Sequence, residues 1–221
     1  MAHAQARDAI YTAFQVDTLA LELKESGFSS LQAWSRAADR QEYLHRPDLG
    51  RRLSSDCIDK LRPRSHSAKR LTVVIADGLS SHAPEKHALP LLKILKPQLP
   101  EWELDEIVLA TQARVALGDE IGLIRGAEVV VILIGERPGL TAVDSLGAYL
   151  TYKPHIGRSD AERNCISNIR PAGLSYGEAA FKLMYLLREA RILGATGIHL
   201  KDDSTVIRQT ALDEPDTGLR Q

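Results

Sequence analysis

The residues best suited to bind a ligand form the loop Gly135-Glu136-Arg137-Pro138-Gly139, which directly follows an apolar, β-branched run. An ordinary turn does not require a carboxylate here, and the Glu136 carboxylate can accept several hydrogen bonds from ligand amides or hydroxyls. A surface ion pair between Glu136 and Arg137, or a solvated loop, explains the same residues equally well. The sequence alone therefore leaves a ligand site and a plain turn as alternatives.

Two further polar clusters interrupt the apolar pattern. Asn164-Cys165-Ile166-Ser167-Asn168 contains a cysteine with no base nearby, since His155 lies among Pro and Gly well upstream. An isolated cysteine is more often a small packed side chain than a nucleophile. In Asp77-Gly78-Leu79-Ser80-Ser81 the N–H groups of a following helix can meet an anion, although a turn with a helix cap is the more common explanation.

Several common kinds of site are missing from the sequence. No G-x-G-x-x-G follows a predicted strand and no Walker loop occurs, which disfavours nicotinamide and nucleoside-triphosphate binding. The seven histidines do not fall at a metal-ligand spacing, and two cysteines, Cys57 and Cys165, are too few for a paired-cysteine zinc site. We therefore name no catalytic and no metal-ligating residue.

The elements that position these loops alternate between strands and helices. Strands are predicted at Leu71 to Ala76, Glu106 to Ala110 and Val129 to Ile134, with helices from near His82 and over Asp119 to Arg125 between them. Further elements are a strand at Gly147 to Tyr152, a helix at Tyr176 to Leu193 and a last strand at Ile198 to Lys201. This order predicts an α/β fold, a Rossmann-like and mostly parallel sheet flanked by helices, with ligands at the carboxyl ends of the strands.

The first 70 residues differ from the rest in their hydrophobic pattern and charge. Residues 1 to about 35 carry apolar side chains at helical spacing and predict two short helices, separated at Ser26-Gly27. Residues 36–70 hold ten Lys or Arg and five Asp or Glu, which is typical of a solvated basic connector. We therefore divide the chain into a small helical N-terminal segment with its connector (1–70), a Rossmann-like domain (71–201) and a polar, flexible tail (202–221).

The composition excludes several classes of partner. The 221 residues are 44% hydrophobic and 26% charged, as in an ordinary soluble globular protein. A net charge of −1 provides no long-range attraction to nucleic acid or to an anionic membrane. The longest apolar run is too short to span a membrane, and the N-terminus lacks the pattern of a signal peptide. We expect a cytoplasmic protein that binds neither nucleic acid nor membrane.

Several segments resemble the small (light) subunit of ethanolamine ammonia-lyase. They occur in the family's order, span about two thirds of the chain and are Arg46 to Leu53, Val74 to Ser80, Gly122 to Gly126, Ile134 to Leu140 and Cys165 to Ile169. The resemblance implies an adenosylcobalamin-dependent lyase that converts ethanolamine to acetaldehyde and ammonia. In this family the large subunit holds the substrate and the catalytic residues, while the small subunit closes over the cofactor.

The resemblance also implies which residues contact the cofactor. Carried over position by position, the family's cobalamin contacts fall on Val115, Glu136 and Cys165. The corrin rim bears amide side chains, so an acceptor at Glu136, an apolar Val115 and a small Cys165 form a chemically sensible set. No D-x-H-x-x-G sequence supplies a histidine ligand, which implies that cobalamin keeps its own benzimidazole as the lower ligand.

Three hypotheses follow. The first is the small subunit of a cobalamin lyase, a hetero-oligomer with its large subunit in the cytosol or in a bacterial microcompartment. The second is a shortened, non-catalytic cobalamin-binding or assembly module, since family members usually carry a basic stretch upstream of the segment matching Ala2 to Ile10. The third, a stand-alone Rossmann-like oxidoreductase, is disfavoured by the missing glycine pattern.

Overall fold

Seven strands form one mixed sheet in the computed structural model, which describes residues 10–139, 142 and 144–205. The strands are β1 (Ser30–Trp34), β2 (Arg70–Ala76), β3 (Glu103–Leu104), β4 (Ile107–Thr111), β5 (Val129–Gly135), β6 (Leu146–Tyr152) and β7 (Asn164–Ile169). Their order is β1-β4-β2-β5-β6-β7, and the short β3 pairs with the start of β2. Only the β5–β6 and β6–β7 pairs are antiparallel, so the predicted α/β fold with a mostly parallel sheet is confirmed.

Helices cover both faces of this sheet. They are α1 (Val16–Glu25), α2 (Arg40–His45), α3 (His82–Leu95), α4 (Val115–Ile124) and α5 (Tyr176–Leu193). One core contains side chains of α1, α3 and α5 together with Val73 and Ile75, while a second core contains α4 with Val74 and Ala76. Because alternate side chains of β2 enter opposite cores, every residue of β2 is buried, as its continuous apolar run predicts.

The second N-terminal helix is a wrong prediction, because residues 30–34 form strand β1. Its side chains alternate between buried and accessible, and it pairs in parallel with β4. Leu31 and Trp34 fit a helical spacing as well, so a run of five residues does not distinguish the two periods. Strand β1 places part of residues 1–70 in the main sheet. The division at residues 70 and 201 stays a prediction, and most of the tail lies outside the described residues.

Other element predictions need smaller corrections. Residues 198–201 are not a strand, because Gly197, at a φ of +76°, opens a 3-10 turn over Gly197–His199. Helix α4 begins four residues earlier than predicted, at Val115. Helix α3 runs continuously through Pro90, although a proline inside a helix predicts a kink or a break there. A proline removes only one helical hydrogen bond, and the buried side chains on α3 outweigh that loss.

A buried ion pair ties the connector to the amino-terminal edge of the sheet. The Arg125 guanidinium, fully buried just after α4, donates from Nε to Asp105 Oδ2 at 2.7 Å and from Nη1 to the Leu61 carbonyl. Burial raises the pKa of Asp105, but the hydrogen bonds and charge of Arg125 outweigh it and lower that pKa overall. The connector is therefore fastened to the domain instead of being a solvated link.

Candidate functional site

A cleft opens where β2, β4 and β5 end, at the carboxyl edge of the parallel strands. Its cavity measures about 370 Å³, and its lining residues are Tyr43, Gly78, Leu79, Arg114, Val115, Ile134, Gly135, Glu136, Arg137 and Tyr149. Two of the three predicted contacts, Val115 and Glu136, thus line the same cavity. This is the edge at which open α/β sheets bind their ligands.

Two glycines let the backbone form one wall of the cleft. Gly78 follows β2 with a φ of +56°, and a Cβ built on it would lie 2.2 Å from the Gly135 carbonyl oxygen. A Cβ on Gly135 would lie 1.8 Å from the Ser80 carbonyl oxygen. The N–H of Leu79 donates to that Gly135 carbonyl at 2.9 Å. Side chains are excluded at both positions, so the loops after β2 and β5 pack backbone against backbone.

Glu136 is held by hydrogen bonds from β7 and from the residue just before β6. Its carboxylate accepts from the hydroxyls of Ser145 and Ser167 and from the N–H of Asn168, the last at 3.2 Å. A carboxylate has about four acceptor sites, so about one stays available to a ligand. The described residues include no ion pair between Glu136 and Arg137, which removes the surface-pair explanation of this loop.

Val115 is the first residue of α4, and a buried carboxylate fixes the chain just before it. Asp77 accepts the N–H groups of Gly78, Gln112 and Ala113 at 2.9, 2.8 and 3.0 Å and pairs with Arg40 at 3.2 Å. Burial raises the pKa of Asp77, while Arg40 and the three N–H donors lower it. The turn after β2 therefore orients the start of α4, and with it Val115.

Cys165 lies on β7, opposite Tyr149 of β6, and not in the cavity itself. Tyr149 lines the cleft and lies directly opposite Cys165 in the pairing of β6 with β7, so it connects Cys165 to the site. Cys165 is exposed at the sheet edge. Burial of its sulfur nevertheless raises the pKa of the thiol, and the Glu136 charge raises it further against the lowering by Tyr149. A protonated thiol is a weak nucleophile and a neutral contact.

Comparison with known proteins bears on this arrangement. The family model for the ethanolamine ammonia-lyase light chain (EutC) matches residues 1–201. The chain belongs to the ethanolamine ammonia-lyase light chain family. Proteins named ethanolamine ammonia-lyase small subunit from Azotobacter vinelandii and Bradyrhizobium diazoefficiens are 52% and 53% identical to it over 212 and 205 residues. These matches cover 94% and 91% of this chain and 78% of each relative.

A third relative extends the match almost along the whole chain. The ethanolamine ammonia-lyase small subunit of Pseudomonas fluorescens SBW25 is 50% identical over 220 residues, covering 97% of this chain and 79% of that protein. The family resemblance is thereby confirmed. The roles of Val115, Glu136 and Cys165 as cobalamin contacts stay predictions.

Sequence reasoning missed several residues of this light-chain cleft. Tyr43, Arg114 and Tyr149 line this cleft. Asp77 holds the chain just before α4 by accepting the Gln112 N–H. Tyr43 lies in the basic connector, which gave no sign that this side chain packs against Arg114. Asp77 belonged to a polar cluster that the sequence singled out, but its hydrogen bonds to the chain before α4 were not predicted. Within the described ranges, no cluster of three or more His, Cys, Asp or Glu could hold a metal ion, and no helix is long and apolar enough to cross a membrane.

Proposed function

We propose that this chain is the small subunit of an adenosylcobalamin-dependent ethanolamine ammonia-lyase and that the cleft holds one edge of the cobalamin against the large subunit. The observation that carries the proposal is the fixed Glu136 carboxylate, which lies in one cavity with Val115 and is joined by Tyr149 to Cys165. The partner and the reaction come from the family to which the chain belongs.

The cleft residues fit a corrinoid in part. A cavity of about 370 Å³ suits one portion of such a molecule, which is larger than the ligands such volumes usually enclose. A buried polar atom without a partner, Gln112 Oε1, stands at this edge of the sheet. Corrin amides offer N–H donors for such an acceptor. The rest of the corrinoid would need a second protein surface, as an interfacial cofactor does.

The chain's own residues bind and orient the cofactor in this proposal. Adenosylcobalamin, when bound, supplies the radical chemistry that converts ethanolamine to acetaldehyde and ammonia. Glu136 accepts an N–H of a corrin amide at its remaining site, Val115 packs against the apolar ring, and Cys165 and Tyr149 fill the edge beside them. The large subunit holds the substrate.

Glu136→Gln tests the cofactor site. The amide replaces a charged acceptor, and losing one charge-assisted hydrogen bond costs about 1.5–3 kcal/mol, or roughly 10- to 150-fold in affinity for adenosylcobalamin. The measurement is cofactor titration of the complex co-expressed with the large subunit, with assembly checked separately by gel filtration.

Glu101→Gln is the matched control, because Glu101 is exposed just before β3, away from the cleft. It should bind cobalamin like the wild type. If both variants bind adenosylcobalamin equally well, Glu136 does not contact the cofactor. Normal cofactor binding with failed assembly of Glu136→Gln would assign the loop to the subunit interface instead. A complex that binds cobalamin but does not deaminate ethanolamine would support the non-catalytic module.

A further inference from the structure

Two arginines border the cleft without a carboxylate partner. Arg114 lies on the α4 side and Arg137 on the β5 side of the same cavity. Many other described arginines, for example Arg40, Arg52 and Arg163, form ion pairs with Asp or Glu. No such pair involves Arg114 or Arg137 within the described residues. An unpaired guanidinium beside a cavity attracts an anion, because nothing else compensates its charge.

Arg114 is held in place by its neighbours. Its guanidinium carbon lies 4.3 Å from the centroid of the Tyr43 ring, and Nη2 donates to the Tyr43 carbonyl at 3.3 Å. Tyr43 is fully buried and its hydroxyl donates to the Ala113 carbonyl at 3.0 Å. Gly50 leaves room for this stack, since a Cβ there would lie 2.9 Å from the Tyr43 ring. The arginine is therefore oriented before any ligand arrives.

Arg114 keeps free hydrogen-bonding capacity, because its buried Nε has no partner and Nη2 forms the one hydrogen bond that its side chain makes within the described residues. A guanidinium presents its N–H groups as a planar fork that matches the oxygens of phosphate or carboxylate. A buried N–H with no acceptor carries a free-energy penalty that an oxyanion would remove. Arg114 also precedes α4, whose first turn holds no acidic residue, so the helix adds positive partial charge to this side of the cleft.

Arg137 faces the same cavity from the other side. It is exposed and follows Glu136, the one carboxylate among the residues that line the cleft. That carboxylate already accepts three hydrogen bonds, so it competes weakly for the two guanidinium groups. Two cations against one engaged carboxylate leave the cleft with a local charge that favours a singly charged anion.

We propose that Arg114 and Arg137 form a subsite for a phosphate group, the phosphodiester of the corrinoid's nucleotide loop. The inference rests on the proposed function. The amide side chains of a corrinoid are neutral, and its phosphodiester is the anionic group that extends away from the ring. Two arginines facing one cavity select for that group, whereas Val115 and Glu136 suit the ring and its amides.

Binding of two truncated corrinoids tests this subsite without any measurement of turnover. Cobinamide and cobinamide phosphate both lack the benzimidazole and differ by the phosphate, so their affinity ratio reports the phosphate contact. Equilibrium dialysis of the complex with the large subunit should give tighter binding of cobinamide phosphate. Arg114→Gln should lower that ratio by about tenfold or more, and Arg137→Gln, at an exposed position, by less.

Two further variants keep the test decisive. Arg114→Lys retains the charge but loses the planar fork, and it should recover only part of the ratio. Arg188→Gln, an exposed arginine on α5 away from the cleft, should leave the ratio unchanged. Circular dichroism establishes that each variant is folded before its ratio is interpreted.

The outcomes separate this subsite from the proposed function. A wild-type complex that binds no corrinoid overturns the proposed function itself. Equal affinity of the wild type for both corrinoids would overturn the phosphate subsite alone. The same holds if the arginine variants lower the affinity for both corrinoids by the same factor. Loss of assembly on substitution of either arginine, with an unchanged ratio in the complex that remains, overturns it as well and assigns the pair to a carboxylate of the large subunit.

Discussion

At the scale of single residues, neighbours decide what Cys165 can do. Burial raises the pKa of its thiol and the charge of Glu136 raises it further, which together outweigh the lowering by Tyr149. Burial also raises the pKa of Tyr149, and the neighbouring Cys165 and Glu136 raise it further. Both groups therefore stay protonated at neutral pH and act as neutral contacts. An exposed cysteine that looks reactive by position is made less reactive by its surroundings.

The rate of alkylation should report the raised pKa of the Cys165 thiol. We expect iodoacetamide to modify Cys165 more slowly at pH 8 than a free cysteine in a peptide, because the raised pKa leaves less thiolate. Glu136→Gln should speed the reaction, since it removes a charge that raises the thiol pKa. Peptide mass spectrometry gives the rate at each cysteine and separates Cys165 from the buried Cys57. A midpoint of the pH–rate profile below that of the free cysteine would contradict the argument.

At the scale of elements, His87 of α3 contacts two segments that come after the Glu136 loop in the chain. Its Nδ1 lies 2.8 Å from the Tyr176 hydroxyl at the start of α5, and its Nε2 lies 3.3 Å from Asp144. Asp144 also pairs with Lys86 and precedes Ser145, which donates to Glu136. Burial lowers the pKa of His87, outweighing the raising effect of Asp144. His87 is therefore neutral in the folded protein at pH 7.

This lowered pKa predicts a loss of stability in mild acid. The unfolded chain binds a proton at His87 near pH 6.5, whereas the folded chain binds it only at lower pH. The free energy of unfolding should thus fall as pH drops from 7.5 to 5.5, by at most about 1.4 kcal/mol per pH unit from this group. Urea unfolding of wild type and His87→Gln at both pH values measures the difference. An identical pH dependence in the two proteins would refute the role of His87.

The elements themselves show where sequence reasoning works. Strands β2 and β5 were predictable because both faces are covered and their runs are continuously apolar. Strands β1 and β7 lie at the two edges of the sheet and are short or polar, so neither carries such a run. Glu136 was singled out by its place directly after an apolar run, whereas Val115 came from the family resemblance. Their shared cleft, and Arg114 within it, depends on contacts between distant segments that periodicity does not encode.

At the scale of the whole molecule, buried charges hold the amino-terminal edge together. Arg125 and Asp105 are both fully buried at their charged groups, and Arg70 donates to the carbonyls of Ser65 and Arg125 beside them. Removing one partner of such a pair leaves an uncompensated buried charge. The fold thus depends on this edge, although the candidate site lies at the other.

Arg125→Met should destabilise the chain by about 3–5 kcal/mol, because Asp105 then loses its buried partner. Arg188→Gln, in an exposed ion pair with Glu189, should change stability by no more than about 0.5 kcal/mol. Denaturant unfolding monitored by circular dichroism measures both. A loss below about 1 kcal/mol for Arg125→Met would show that the pair adds little to the fold.

The chain alone should not deaminate ethanolamine. The described cleft residues include no His or Lys that could serve as a base. Their one carboxylate, that of Glu136, already accepts three hydrogen bonds. In an ammonia-release assay with adenosylcobalamin, the purified chain should release no more ammonia than buffer alone, whereas the complex with the large subunit should release ammonia from ethanolamine. Activity of the isolated chain would disprove its role as a subunit.

The reversal of direction at β6 has a consequence for how the site forms. Because β6 runs against β5 and β7, the end of β5, the start of β6 and the end of β7 meet at one edge, where Ser145 and Ser167 reach Glu136. These groups and the residues of α4 lie far apart along the chain. A nascent or clipped polypeptide that lacks β7 would leave Glu136 with one of its three donors, so capture of the ligand would occur only after the last strand has joined.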